Sequence, residues 1–186
     1  MKKFLILFLV SVSIYSQKYH GYVVTNSNDT IKCKFKVQTN LFNDDIYYPS
    51  SGTIITLNDS GEKTKYKPNQ LKSYYLQGPN IKNYRFVSLK EDKNKAFYDE
   101  IQKGRICMYY HYKPNYGGGD PIRTIYVLKE GIFEKISGLA TRKKFGEYIE
   151  DYPELYQRWM NSNKSFDIES MDYVVELYNK HFESLN

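Results

Sequence analysis

Cysteine is scarce in this chain. Only Cys33 and Cys107 are present, too few for a disulfide-dense scaffold and without the paired spacing of a zinc site. The three histidines, His20, His111 and His181, stand apart with no Cys, Asp or Glu at ligand spacing, so no metal or other cofactor is expected. No Gly-x-Ser-x-Gly elbow occurs. The glycine run at 117–119 is followed by Asp120, Pro121 and a strand pattern rather than by a helix that would aim its N–H groups at a phosphate. The adjacent acids Asp44 and Asp45 fit a turn better than an acid/base pair, because neighbours on an extended chain point to opposite sides. A membrane-spanning helix needs about 20 apolar residues. The only long apolar run, Phe4 to Val12, is about half that length.

That run belongs to a tripartite leader. Lys2 and Lys3 precede it, and Ile14-Tyr15-Ser16 closes it with a small residue. Residues 1–16 are therefore expected to be a signal peptide cleaved before Gln17, and the mature chain to be secreted or periplasmic with no integral span. Two lysines leave with the leader, taking the net charge from +6 to +4. What remains is uneven: residues 17–136 hold 19 Lys/Arg against 12 Asp/Glu, and residues 137–186 hold 6 against 9. A basic half could attract an anionic partner, although export argues against nucleic acid, and the lysines are scattered rather than clustered.

Two periodicities divide the mature chain. Alternating patterns with turn signals place strands at 19–25, 30–37, 46–48, 53–57, 63–66, 71–76, 84–89, 96–101, 105–112 and 122–129. After Ser137 the period becomes about 3.6. Phe145, Tyr148, Ile149 and Tyr152 mark one helix; Pro153, Leu155, Tyr156 and Trp159 a second; and Ile168, Met171, Val175, Tyr178 and Phe182 a third, with Asp167 as its cap and Phe166 stapling onto Met171. The expected fold is one α+β domain over 17–186. Its N-terminal antiparallel sheet has about seven to nine strands, open or curled into a partial barrel, and about three C-terminal helices pack on it.

Tyrosine is abundant, with 20 copies, several in runs. Tyr74, Tyr75, Tyr109, Tyr110, Tyr112 and Tyr116 are the candidates for a binding face, since paired tyrosines on a strand send one ring inward and one outward. The same residues also suit strands on propensity alone. An oxidising compartment would permit a bridge between Cys33 and Cys107, while the series Ile31, Cys33, Phe35, Val37 equally suits a buried free thiol.

Gly21-Tyr22-Val23-Val24 followed by Asp29-Thr30-Ile31 resembles the opening hairpin of a family of secreted Bacteroidota proteins of unassigned function. Tyr66-Lys67-Pro68-Asn69-Gln70-Leu71, Gly104-Arg105-Ile106-Cys107-Met108-Tyr109, Asp151-Tyr152-Pro153-Glu154-Leu155 and the stretch 174–179 are similar to later parts of that family. Asp29-Thr30-Ile31 also resembles an O-glycosylation sequon of such proteins, or is simply a turn leading into a strand. Where relatives often carry Cys, this chain has Tyr152. The resemblance implies export and a strand-then-helix layout, and no catalytic residues. The expected function is a non-enzymatic binding domain whose partner is an envelope protein or glycan. An enzyme acting on an envelope polymer and a structural subunit of an envelope assembly are the alternatives.

Overall fold

The computed structural model describes residues 19–37, 51–77, 83–113, 115, 121–137, 141–161 and 170–185. Ten strands form one antiparallel sheet: β1 (His20–Thr25), β2 (Thr30–Phe35), β3 (Ile54–Leu57), β4 (Lys63–Tyr66), β5 (Leu71–Gln77), β6 (Tyr84–Ser88), β7 (Phe97–Gln102), β8 (Cys107–Lys113), β9 (Ile122–Lys129) and β10 (Ile132–Ile136). Three helices follow, α1 (Thr141–Ile149), α2 (Pro153–Asn161) and α3 (Met171–Glu183). The α+β layout is the expected one. The strand expected at 46–48, the leader, the cap Asp167 and the staple residue Phe166 lie outside the described residues. α3 begins at Met171 with Ser170 at its N-cap position.

The strands are ordered β10-β9-β8-β7-β6-β5-β1-β2-β3-β4. The sheet is not closed into a barrel, because β10 and β4 remain its two edges. It nevertheless curls: Ser51, which leads into β3, accepts from the Phe97 N–H at 2.7 Å and from the Tyr112 N–H at 3.1 Å. β10 was not expected. It follows β9 through Glu130 and Gly131, both at positive φ, too briefly for a turn signal to stand out.

Local chemistry accounts for the hairpins. Asn28 takes the left-handed conformation between β1 and β2, and Gly61 does so between β3 and β4, where the Asn58 side chain accepts from the Glu62 N–H at 2.9 Å. β1 then lies beside β5 because Gly21 permits it. A Cβ there would stand 1.9 Å from the Tyr75 carbonyl oxygen.

One face of the sheet carries two apolar clusters. Val23, Phe35, Ile54, Tyr74, Leu76, Phe86 and Phe97 pack under the β1–β7 side. On the β7–β10 side, Met108, Tyr110, Ile125, Val127 and Ile136 meet the buried stripes of the helices, including Phe145, Trp159, Val175 and Tyr178. α1 and α2 clasp each other reciprocally. The Trp159 indole N–H donates to the Arg142 carbonyl at 2.7 Å, while the Arg142 guanidinium donates to the Trp159 carbonyl at 2.8 Å.

Segments 104–109, 151–155 and 174–179 meet where α3 crosses the β7–β8 hairpin. The buried Asn179 amide bonds both backbone groups of Ile106. Nearby, Asp151 joins Lys129, Arg105 and Tyr178. These residues are structural fasteners between the helical layer and the sheet.

Candidate open sheet face

Among the described residues, the opposite face divides into a covered and an uncovered half. On the covered half, Tyr98 and Tyr109 are buried with Leu89, and Val87, Tyr126, Leu128 and Phe133 pack against them. Tyr126 stacks on Phe133 at 5.0 Å. The short turn Lys90–Asp92 closes over this cluster, and the Tyr98 hydroxyl donates to Asp92 at 2.6 Å. His111 belongs here, with its Nδ1 buried and unpartnered among the described residues. Burial, seconded by the Lys113 charge and opposed by Asp92, holds its imidazole below the ordinary histidine range.

On the uncovered half, register builds a row. Lys32 lies opposite Tyr22, Tyr22 opposite Tyr75, and Tyr75 opposite Arg85. Strands repeat at about 4.8 Å, so the row runs across four strands for roughly 14 Å. Tyr22 and Tyr75 stack with ring centroids 5.3 Å apart and planes within 17°, which fixes both rings before any partner arrives. Tyr22 is 37% exposed and Tyr75 half-buried. The Arg85 Nε pairs with Glu100 at 3.1 Å, yet its side chain stays 56% exposed. The adjacent row on this face is Lys34, His20 and Gln77. Beside Val87, two residues along β6 from Arg85, opens a shallow groove of about 460 Å³ whose rim includes Asn26, Lys72, Ser88, Lys90, Glu91 and Asn94.

The expected binding tyrosines do not share a surface. Tyr74 is in the core, stacked on Phe86 at 4.6 Å. Of the five that are among the described residues, Tyr75 alone lies in the open row. Tyr109 and Tyr110 are both buried, because here the sheet is covered on both faces, so the rule of one ring in and one ring out fails at this pair. Arg123 lies 4.6 Å from the centroid of the Tyr110 ring. Tyr112 donates its hydroxyl to the buried carboxylate of Asp99 at 3.1 Å, and burial followed by the Asp99 charge raises its phenol well above the ordinary tyrosine range. Tyr116 lies outside the described residues. Tyr22, Lys32 and Arg85 were missed. Tyr22 stands alone in sequence between Gly21 and Val23, and only the β1–β5 pairing gives it a partner.

Cys33 and Cys107 are free thiols. β1, β5, β6 and β7 stand between their strands, and burial pushes the Cys33 thiol up to about 11. His181 stacks on Tyr152 at 3.8 Å. Among the described residues no group of three His, Cys, Asp or Glu side chains is placed to hold a metal ion, and no helix is long and apolar enough to cross a membrane. The carboxylates Asp151, Glu100 and Glu134 are each engaged by a cation. In comparisons with protein-family models, curated proteins and solved structures, nothing matches this chain.

Proposed function

We propose that this chain is an exported, non-enzymatic binding domain of the cell envelope, and that it engages an envelope component through the open row Lys32, Tyr22, Tyr75 and Arg85. The observation that carries this reading is the pre-stacked, partly exposed tyrosine pair flanked by two cations on an uncovered sheet face. Tyrosine and arginine are the residues over-represented where interfaces concentrate binding energy. The leader-like segment 1–16 supports the compartment.

The mature chain, immobilised and exposed to a solubilised envelope fraction, is expected to capture a component. The Tyr22→Ala/Tyr75→Ala variant is expected to lose at least about tenfold of it. Both rings lie outside the main core clusters, so the variant should melt close to the unsubstituted protein. Undiminished capture by a folded double variant would contradict the reading.

A further inference from the structure

The row offers a donor at every position and a cation at each end. Lys32 brings an ammonium, Tyr22 and Tyr75 bring phenol hydroxyls that donate as well as accept, and Arg85 brings a guanidinium whose Nε pairs with Glu100. Lys34 and His20 extend the same character into the neighbouring row. Glu100 is the one carboxylate of this row, and its side chain is 11% exposed, so it neutralises part of Arg85 without presenting an acceptor outward. Ionised carboxylates are acceptors only, and they pair most strongly with such charged donors.

The ring arrangement separates a protein from a sugar polymer. Sugar stacking needs a free aromatic face lying along the surface. Tyr22 and Tyr75 spend one face each on the other, with planes nearly parallel, and so present their edges and hydroxyls. A second copy docked face to face would set Lys32, Lys34 and Arg85 against their own equivalents, a like-charge juxtaposition that costs several kcal/mol.

We infer that the partner of this face is a protein segment rich in Asp and Glu, whose carboxylates lie along the row Lys32, Tyr22, Tyr75 and Arg85. This inference rests on the binding role proposed above and adds the chemistry of the partner. The attraction is electrostatic and only partly desolvated, so it weakens as salt shortens the screening length.

The probe is poly-L-glutamate, with polygalacturonate as a carboxylate-bearing glycan of comparable charge. The mature chain is expected to bind poly-L-glutamate, and to lose most of that affinity between about 0.05 M and about 0.5 M salt. Lys32→Glu/Arg85→Glu should lower the affinity at least about tenfold. Lys143→Glu/Lys180→Glu in the helical layer on the opposite face of the sheet changes the formal charge equally and should leave it within about twofold. Lys32→Ala/Arg85→Ala guards against an unstable reversal, since a glutamate at 85 would sit beside Glu100.

Equal weakening by both charge reversals would show net charge at work rather than this face, and would overturn the inference. So would polygalacturonate binding as tightly as poly-L-glutamate, or poly-L-glutamate not binding. The two readings separate in the envelope capture. If Lys32→Glu/Arg85→Glu still captures its component while Tyr22→Ala/Tyr75→Ala does not, the face binds but its partner is not acidic.

Discussion

Replacing Asn179 by alanine is expected to cost about 3 kcal/mol and, for a chain of this size, to lower Tm by about 10 °C. The Asn179 amide donates to the Ile106 carbonyl at 2.8 Å, and its oxygen accepts from the Ile106 N–H at 2.9 Å. Ile106 is fully buried and Asn179 nearly so. Alanine therefore leaves a buried N–H and a buried C=O unpaired, each worth about 1–3 kcal/mol when orphaned. Gly104 makes the test more specific. A Cβ at that position would lie 2.4 Å from the Asn179 Cγ, so Gly104→Ala should destabilise the unsubstituted protein yet cost much less once residue 179 is alanine. Denaturant titration of the two single variants and the double variant measures this coupling. Additive effects, or an Asn179→Ala cost below about 0.5 kcal/mol, would show that α3 is not fastened to the hairpin here.

Asp151→Ala is expected to cost about 2 kcal/mol at neutral pH, because it strips a charge-assisted acceptor from three donors at once. Lys129 and Arg105 approach Asp151 at 3.0 Å and the Tyr178 hydroxyl at 2.8 Å, joining the α1–α2 corner to β9, the β7–β8 hairpin and α3. Partial exposure of the carboxylate keeps the cost below that of a fully buried pair. Partial burial would raise the Asp151 pKa. Hydrogen bonds from Lys129 and Tyr178, together with the charges of Lys129 and Arg105, outweigh burial and hold it below the ordinary carboxylate range. The folded state thus binds the proton less readily than the unfolded state. The stabilisation is complete above the unfolded carboxyl pKa of about 4 and disappears as pH falls through the lower folded value. Stability measured from pH 6 to pH 2.5 should fall less steeply for Asp151→Asn than for the unsubstituted protein. Parallel curves would contradict the assignment.

Local pattern made much of this fold legible. Asn26 to Asp29 and Asn58 to Glu62 mark their hairpins because Asn and Gly tolerate the left-handed backbone that those turns use. The apolar stripe through Met171, Val175 and Tyr178 marks α3 because only a 3.6 period puts those residues on one buried face. Sheet order is another matter. The insertion of β1 between β2 and β5 depends on Gly21 admitting the Tyr75 backbone, a contact across more than fifty residues that no window of sequence displays. The candidate site inherits that difficulty. Tyr75 was visible as one of a pair, but its working partner is Tyr22 on a distant strand, while its sequence neighbour Tyr74 belongs to the core. Alternation sends one ring of Tyr109 and Tyr110 outward, yet Tyr109 is buried by the turn Lys90–Asp92 and by Phe133, elements whose placement is again non-local.

The central claim is that the uncovered half of the sheet is the contact surface, and lysine footprinting tests it most directly. Acetylation of the mature chain, free and loaded with its captured envelope component, can be read lysine by lysine by mass spectrometry. Lys32 lies in the row, whereas Lys143 and Lys180 lie on α1 and α3, in the helical layer on the opposite face of the sheet. The expected result is that loading slows Lys32 by at least about fivefold while Lys143 and Lys180 react as before. If Lys32 reacts equally in the free and loaded protein, the partner binds elsewhere and the account is wrong.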